Sequence, residues 1–186
     1  PQKGSYFFIA GLALNLDLAH DEPTADRCGN CRRCVEACPT NAFTADRQLD
    51  AGRCISEFTI ERRGAIPAEM RQGVGDWVFG CDLCQEVCPW NRFAKTGEAF
   101  PLAGEATLSL EELAALDEAA FKRRFGATPL ARAKRRGLVR NALLAMGNAR
   151  DPRYGPILRR FALDSDEVLR EQAIWSLARL PPSEQS

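Results

Sequence analysis

The sequence holds one histidine, two tyrosines and two methionines, and its 25 Lys and Arg are balanced by 25 Asp and Glu. Zero net charge excludes a wholly basic or wholly acidic protein while leaving local patches open. The lone histidine, His20, sits among Asp and Pro and reads as a loop residue rather than a ligand. Long hydrophobic runs are missing too. The most apolar stretch, YFFIAGLALNLDLA from Tyr6 to Ala19, is shorter than a bilayer span and carries Asp17. It has neither the basic flank nor the small-residue cleavage site of a signal peptide, so a cytoplasmic location without membrane attachment is expected. With 186 residues, 45% of them hydrophobic, the chain can bury the core of one domain or of two small ones.

Cysteine, by contrast, is plentiful. There are eight, and seven of them fall in two tight runs. The first run, CGNCRRCVEACPTNAF, spaces Cys28, Cys31, Cys34 and Cys38-Pro39 as C-x2-C-x2-C-x3-C-P, the bacterial ferredoxin pattern in which the fourth cysteine serves the other cluster. The second run, Cys81-x2-Cys84-x3-Cys88-Pro89, is one ligand short, and Cys54 completes it. Three thiolates on an x2 loop can wrap one cubane; the x3 step starts a short helix that carries the fourth away, and proline ends that helix. The spacing therefore predicts two 4Fe-4S clusters, one on Cys28, Cys31, Cys34 and Cys88, the other on Cys38, Cys54, Cys81 and Cys84. Structural zinc is the alternative, although zinc ribbons favour paired C-x2-C knuckles. Disulfides would suit an exported chain.

Between the runs, CISEFTIERRGAIPAEMRQGVGDWVFGCDLC is longer than a minimal ferredoxin needs. Cys54 to Glu61 suits a short helix, Gly64 and Pro67 mark a turn, and Pro67 with Glu69 suits a second helix start. The insertion is either a loop over a cluster or a wall facing a second cofactor. Trp90, beside Cys88-Pro89, is expected to shield a cluster from water. Leu12, Leu14, Leu16 and Leu18 alternate as a half-buried strand would.

After Trp90 the sequence reads as all helix. Ser109 and Glu112 form a capping box ahead of Leu110, Leu113 and Leu116; Asp117 caps the next helix, which buries Phe121 and Phe125 and stops at Gly126. LVRNALLAMGN at 138–148 and LREQAIWSLAR at 169–179 align at a period of 31, pairing Leu138 with Leu169, Ala142 with Ala173, Leu143 with Ile174 and Met146 with Leu177. Asp151-Pro152 starts the intervening helix with Ile157, Leu158 and Phe161, and Trp175 falls on the apolar face of the last helix. The pattern is that of HEAT-like repeats. Across Lys122–Arg140 there are eight cations and no acid: Lys122, Arg123, Arg124, Arg132, Lys134, Arg135, Arg136 and Arg140. Such a run is either a solvated helix face or a phosphate-binding surface.

The segments GSYFF, CGNCRRCVEACPTNAF, RCISEFTIERRGAIP, GCDLCQEVCPWN and RRGLVRNALLAMGN together resemble epoxyqueuosine reductase, the cobalamin-dependent iron-sulfur enzyme that finishes queuosine in tRNA. The cysteine runs are shared with ferredoxins and reductive dehalogenases; the C-I-S-x-x-T-I-E-x-x-G-x-I-P stretch and the R-G-L-x-R-N-A-L segment are more particular. The resemblance implies that the chain corresponds to the C-terminal half of that family and lacks the N-terminal domain that supplies the catalytic aspartate and most cobalamin contacts. It implies no catalytic residue in this chain, and cobalamin lined here by Ser56 and Glu61. It also implies tRNA held by Arg132, Lys134, Arg135, Arg136 and Arg140, an external electron donor, and a monomer at full length.

The expected fold class is α+β: residues 1–27 are the strand-rich end of a preceding domain and 28–100 a ferredoxin-like domain with two clusters. Residues 101–126 are a helical connector, and 127–186 an all-α HEAT-like module with a basic face. The expected function is an electron relay through the two clusters to cobalamin, reducing epoxyqueuosine in tRNA. The alternatives are a ferredoxin-type electron carrier and a nucleic-acid-binding module with structural clusters.

Overall fold

The computed structural model describes residues 4–7, 9–45, 48–94 and 108–182. Among them are eight α-helices: α1 (Arg33–Glu36), α2 (Ala68–Val74), α3 (Leu83–Glu86), α4 (Leu110–Ala115), α5 (Glu118–Phe125), α6 (Lys134–Ala149), α7 (Gly155–Phe161) and α8 (Glu167–Leu177). Two short strands, β1 (Phe43–Ala45) and β2 (Gln48–Leu49), pair antiparallel with Phe43 opposite Leu49 and Ala45 opposite Gln48. The described chain is thus predominantly helical with one two-stranded sheet, which corrects the α+β expectation of a ferredoxin-like domain. The strand expected at the alternating leucines is absent as well. Leu12, Leu14, Leu16 and Leu18 lie outside helix and strand, in a stretch that bends at Asn15 and Leu16, and are between 52% and 82% exposed. Alternation only sorts side chains onto two faces; a strand also needs a neighbour to take its backbone hydrogen bonds, and none of the described residues does so there.

The chain divides into two compact units, residues 1–38 with 82–101 and residues 39–81 with 102–186. In the first, α1 and α3 are single turns that pack on each other. Each spans the start of a Cys-x3-Cys-Pro segment, and the Cys-Pro keeps it to one turn because proline cannot continue a helix. Ser5 is bound into this unit. Its backbone N–H donates to Asn91 Oδ1, its hydroxyl reaches Gln85 Oε1 and Asn91 Oδ1, and the Asn91 amide donates to the Gln85 carbonyl. Gly4 makes the approach possible: its φ is +83°, and a Cβ there would stand 2.6 Å from Asn91 Oδ1. Trp90 is half-buried, its ring 6.1 Å from that of Phe93.

The second unit is built around α6. Residues Leu138 to Gly147 are buried without interruption, so this helix is covered on every side rather than on one stripe. Val139, Leu143 and Met146 pack with Leu158, Phe161, Leu169 and Ala173 of α7 and α8. Leu138 and Ala142 pack with Leu113, Leu116, Phe121 and Phe125 of α4 and α5 and their connection. Leu144 packs with Ile55, Phe58, Ile66 and Val74 of the insertion.

The local signals for these helices are present as read. Ser109 Oγ accepts from the Glu112 N–H at 3.1 Å while Glu112 Oε2 accepts from the Ser109 N–H at 2.8 Å. The Ser109 bonds, the backbone one foremost, hold the Glu112 carboxyl below the usual glutamate range. Asp117 Oδ1 caps α5 through the Ala120 N–H at 2.6 Å. The period-31 alignment holds at its inner positions, since Leu138, Ala142, Leu169 and Ala173 are all buried, but Leu143 is buried where Ile174 is 54% exposed. The two helices differ because α6 is sandwiched and α8 is not.

Helices α6 and α8 meet at Gly147, where a Cβ would fall 2.5 Å from Ser176 Oγ and 2.7 Å from Ser176 Cα. Ser176 in turn donates to the Leu143 carbonyl at 2.8 Å. Gly147→Ala is therefore expected to force α6 and α8 apart and to destabilise the protein by about 1–3 kcal/mol, the usual cost of overpacking. A thermal melt checks this, and a midpoint at or above that of the parent would refute it.

Candidate functional site

The cysteines sit in two local frames. In the first unit, the Cys31 N–H donates to the Cys28 carbonyl at 3.1 Å and the Cys88 N–H to the Gln85 carbonyl at 3.1 Å, bonds that close the turns at the start of the first run and the end of the second. Beside them, Arg33, Glu36, Glu86, Cys88, Asn91 and Arg92 line a concavity of about 860 Å³. None of the eight cysteines is in a disulfide. The predicted quartet Cys28, Cys31, Cys34 and Cys88 lies in the first unit, whereas Cys38, Cys54, Cys81 and Cys84 draw members from both.

Among the described residues, no group of three or more His, Cys, Asp or Glu is gathered so as to hold a metal ion. The arrangement therefore does not fit the two expected 4Fe-4S clusters. Spacing fixes how far apart in sequence the thiols lie; it does not fix the loop conformations that would bring four sulfurs to one centre. Cobalamin loses its basis with the clusters, because its expected place was at the end of their relay, and so does the relay itself.

The second frame is the insertion. A helix does follow Cys54, but as one turn at Ile55–Ser56 running into a π-helix at Glu57–Glu61, and α2 begins after Pro67. Ser56 and Glu61, the expected cobalamin contacts, have protein partners instead. The Cys81 N–H donates to Ser56 Oγ at 3.1 Å, and Glu61 Oε1 pairs with Arg132 Nε at 2.6 Å. Thr59 works alongside Ser56: it accepts from the Gly80 N–H at 2.9 Å and donates to the Ile55 carbonyl at 2.8 Å. Two hydroxyls on one short helix thus fix the backbone leading into Cys81.

Arg140, expected at the phosphate surface, points the other way. It is 1% exposed, and its guanidinium donates to the carbonyls of Phe58, Arg62 and Gly64 and to Asn141 Oδ1. Burial, then the neighbouring Arg62 cation, lowers its pKa to about 10, which leaves it charged at neutral pH. The physical reason lies in the backbone that surrounds the guanidinium. The carbonyls that close the π-helix and the turn after it converge without intrahelical partners, and a fork of N–H donors satisfies several together.

Asn141 and Asn148 extend the contact. Asn141 Nδ2 donates to the carbonyls of Thr59 and Val78, each at 2.8 Å, and Asn148 Nδ2 to those of Arg71 and Gly75 at 2.9 and 2.7 Å. The sequence reading missed both. Their signal is two asparagines seven residues apart on an apolar helix, which places them on one face with Leu144 between them. Arg71 closes the far side, donating to the Ile66 carbonyl at 2.8 Å and pairing with Glu171, with its guanidinium 5.7 Å from the Trp175 ring.

The remaining cations of the run have distinct fates. Lys122, Arg123, Arg124, Arg132, Lys134 and Arg136 are exposed, and Arg135 is half-buried with its Nε donating to the Leu116 carbonyl at 2.6 Å. Arg136 Nε pairs with Asp166 Oδ2 at 2.7 Å. No carboxylate among the described residues pairs with Lys122, Arg123 or Lys134.

Arg140→Met removes the donor while keeping apolar bulk. It is expected to destabilise the protein by at least about 3 kcal/mol, since buried acceptors left unpaired cost about 1–3 kcal/mol each. Urea unfolding measures this; a loss under about 1 kcal/mol would show that the carbonyls have other donors.

Comparison with known proteins adds three findings. A family model described as a 4Fe-4S double cluster binding domain matches residues 27–91, the stretch that holds all eight cysteines. That likeness in sequence and the present arrangement of side chains among the described residues disagree about a metal centre. The chain is 40% identical over 182 residues to an epoxyqueuosine reductase of Xanthomonas campestris pv. campestris, covering 95% of this chain and 51% of the relative. To that of Vibrio cholerae serotype O1 it is 39% identical over 180 residues, covering 95% and 48%. A solved epoxyqueuosine reductase with a tRNA-Tyr epoxyqueuosine-modified stem loop matches at 33% identity and a TM-score of 0.73, over 86% of this chain and 43% of that one. The epoxyqueuosine reductase of Streptococcus thermophilus matches at 31% and 0.75, over 91% and 46%. The chain spans about half the length of the curated relatives it matches. In sequence and in fold it is similar, over that half, to epoxyqueuosine reductases.

Proposed function

We propose that this chain is the tRNA-engaging part of an oxidoreductase of the epoxyqueuosine reductase kind, acting on epoxyqueuosine in tRNA. The observation that carries the reading is the acid-free cationic run from Lys122 to Arg136 on α5, the turn before α6, and the first turn of α6. It is supported by likeness to a reductase solved with a modified tRNA stem loop. Lysine and arginine neutralise backbone phosphates and release their counterions whatever the base sequence, so this surface supplies affinity and orientation. Recognition of the modified base falls to another part of the enzyme. The phosphate contacts are Lys122, Arg123, Arg124, Arg132, Lys134, Arg135 and Arg136, with Arg140 assigned to the fold. On this reading the 186-residue chain binds tRNA without reducing epoxyqueuosine by itself, and the complete enzyme works as a monomer with an external electron donor.

Changing Lys122, Arg123 and Lys134 to Glu together is expected to weaken binding of a tRNA anticodon stem loop by more than about tenfold. The slope of log affinity against log salt should fall by roughly 0.7–0.9 for each phosphate deprived of its cation. Circular dichroism should be unchanged, because all three side chains are exposed. Equal affinity and slope across a salt titration would return the run to a solvated helix face.

A further inference from the structure

Two arginines of the cationic run are already occupied by carboxylates of this chain. Arg132 holds Glu61 Oε1 at 2.6 Å and Arg136 holds Asp166 Oδ2 at 2.7 Å. The Arg132 and Glu61 side chains are 69% and 43% exposed, those of Arg136 and Asp166 46% and 30%. Each carboxylate is accessible to solvent and can be displaced without loss of the local fold. The Glu61 carboxylate makes no other hydrogen bond among the described residues, and the segments it joins are tied a second time by Arg63 Nη1 donating to the Ala133 carbonyl at 3.2 Å. Asp166 divides its work: Oδ1 caps α8 through the N–H groups of Val168 and Leu169, leaving Oδ2 for Arg136. Releasing Arg136 therefore leaves the cap in place.

Resting on the reading above, we infer that Glu61 and Asp166 are internal stand-ins for RNA phosphate, holding Arg132 and Arg136 in place until a phosphodiester displaces them. Five cations of the run remain for the first encounter: Lys122, Arg123, Arg124, Lys134 and Arg135. Arg132 and Arg136 join only when the backbone comes close enough to exchange with the carboxylates. A guanidinium offers carboxylate and phosphate the same fork of donors, so the exchange preserves its geometry. Isolated exposed ion pairs are weak enough for the exchange to occur at modest cost.

The inference is tested with the 186-residue chain and an unmodified tRNA anticodon stem loop. Glu61→Gln removes the charge and keeps the shape; Asp166→Asn does the same and keeps a competent cap, since asparagine caps as well as aspartate. Each is expected to tighten binding about two- to fivefold, the range set by a displaced surface ion pair. The decisive arm is the double mutant. The gain from Glu61→Gln should vanish in an Arg132→Gln background, and the gain from Asp166→Asn in an Arg136→Gln background. Equal gains in both backgrounds would mean a long-range field effect and overturn the exchange, as would no gain in a parent that binds the stem loop. A parent that does not bind it at all overturns the tRNA reading itself, and the exchange with it.

Discussion

The second unit depends on one buried cation. Among the described residues no carboxylate is hydrogen-bonded to Arg140, although Glu57 acts on it electrostatically; its hydrogen-bond partners are three backbone carbonyls and an asparagine oxygen. Those carbonyls belong to a π-helix and the turn that leaves it, an irregular segment whose acceptors cannot be satisfied from within. An apolar side chain at this position would strand them, and a lysine would reach fewer of them in the required plane. The insertion between Cys54 and Cys81 holds its shape because α6 supplies these donors, together with the amides of Asn141 and Asn148.

The same helix separates the structural cations from the available ones. Within seven residues, Lys134 is exposed, Arg135 is half-buried, Arg136 is exposed and paired, and Arg140 is buried. Helical geometry produces this gradation, since each step turns the side chain by about 100° around an axis that is covered on one side by the insertion and on another by α8. A single basic segment therefore anchors the fold with one end and faces solvent with the other.

What the sequence revealed and what it hid follow from the range of the forces involved. The capping box at Ser109 and Glu112, the cap at Asp117 and the buried pair Phe121 and Phe125 are local, and they were legible because their partners lie within one or two turns. Leu138 and Leu169, or Ala142 and Ala173, were legible because repetition puts equivalent residues on equivalent faces. The leucines at 12, 14, 16 and 18 were misread because alternation carries no information about a neighbouring strand. Arg140 was misread because its partners, Phe58, Arg62 and Gly64, lie more than seventy residues away and are main-chain atoms, which no side-chain pattern announces. The cysteine spacing predicted ligands for two centres; among the described residues no three such side chains are gathered so as to hold a metal, and spacing alone did not foresee it.

Because α6 is gripped from all sides, it has no soft coordinate of its own. Sliding by one residue would swing Asn141 and Asn148 away from the insertion and drive Gly147 off Ser176 in the same movement, so neither contact can relax without breaking the other. Packed interiors with interlocking contacts of this kind deform discontinuously rather than gradually. The backbone between Cys54 and Cys81 consequently inherits the stiffness of the helical layer.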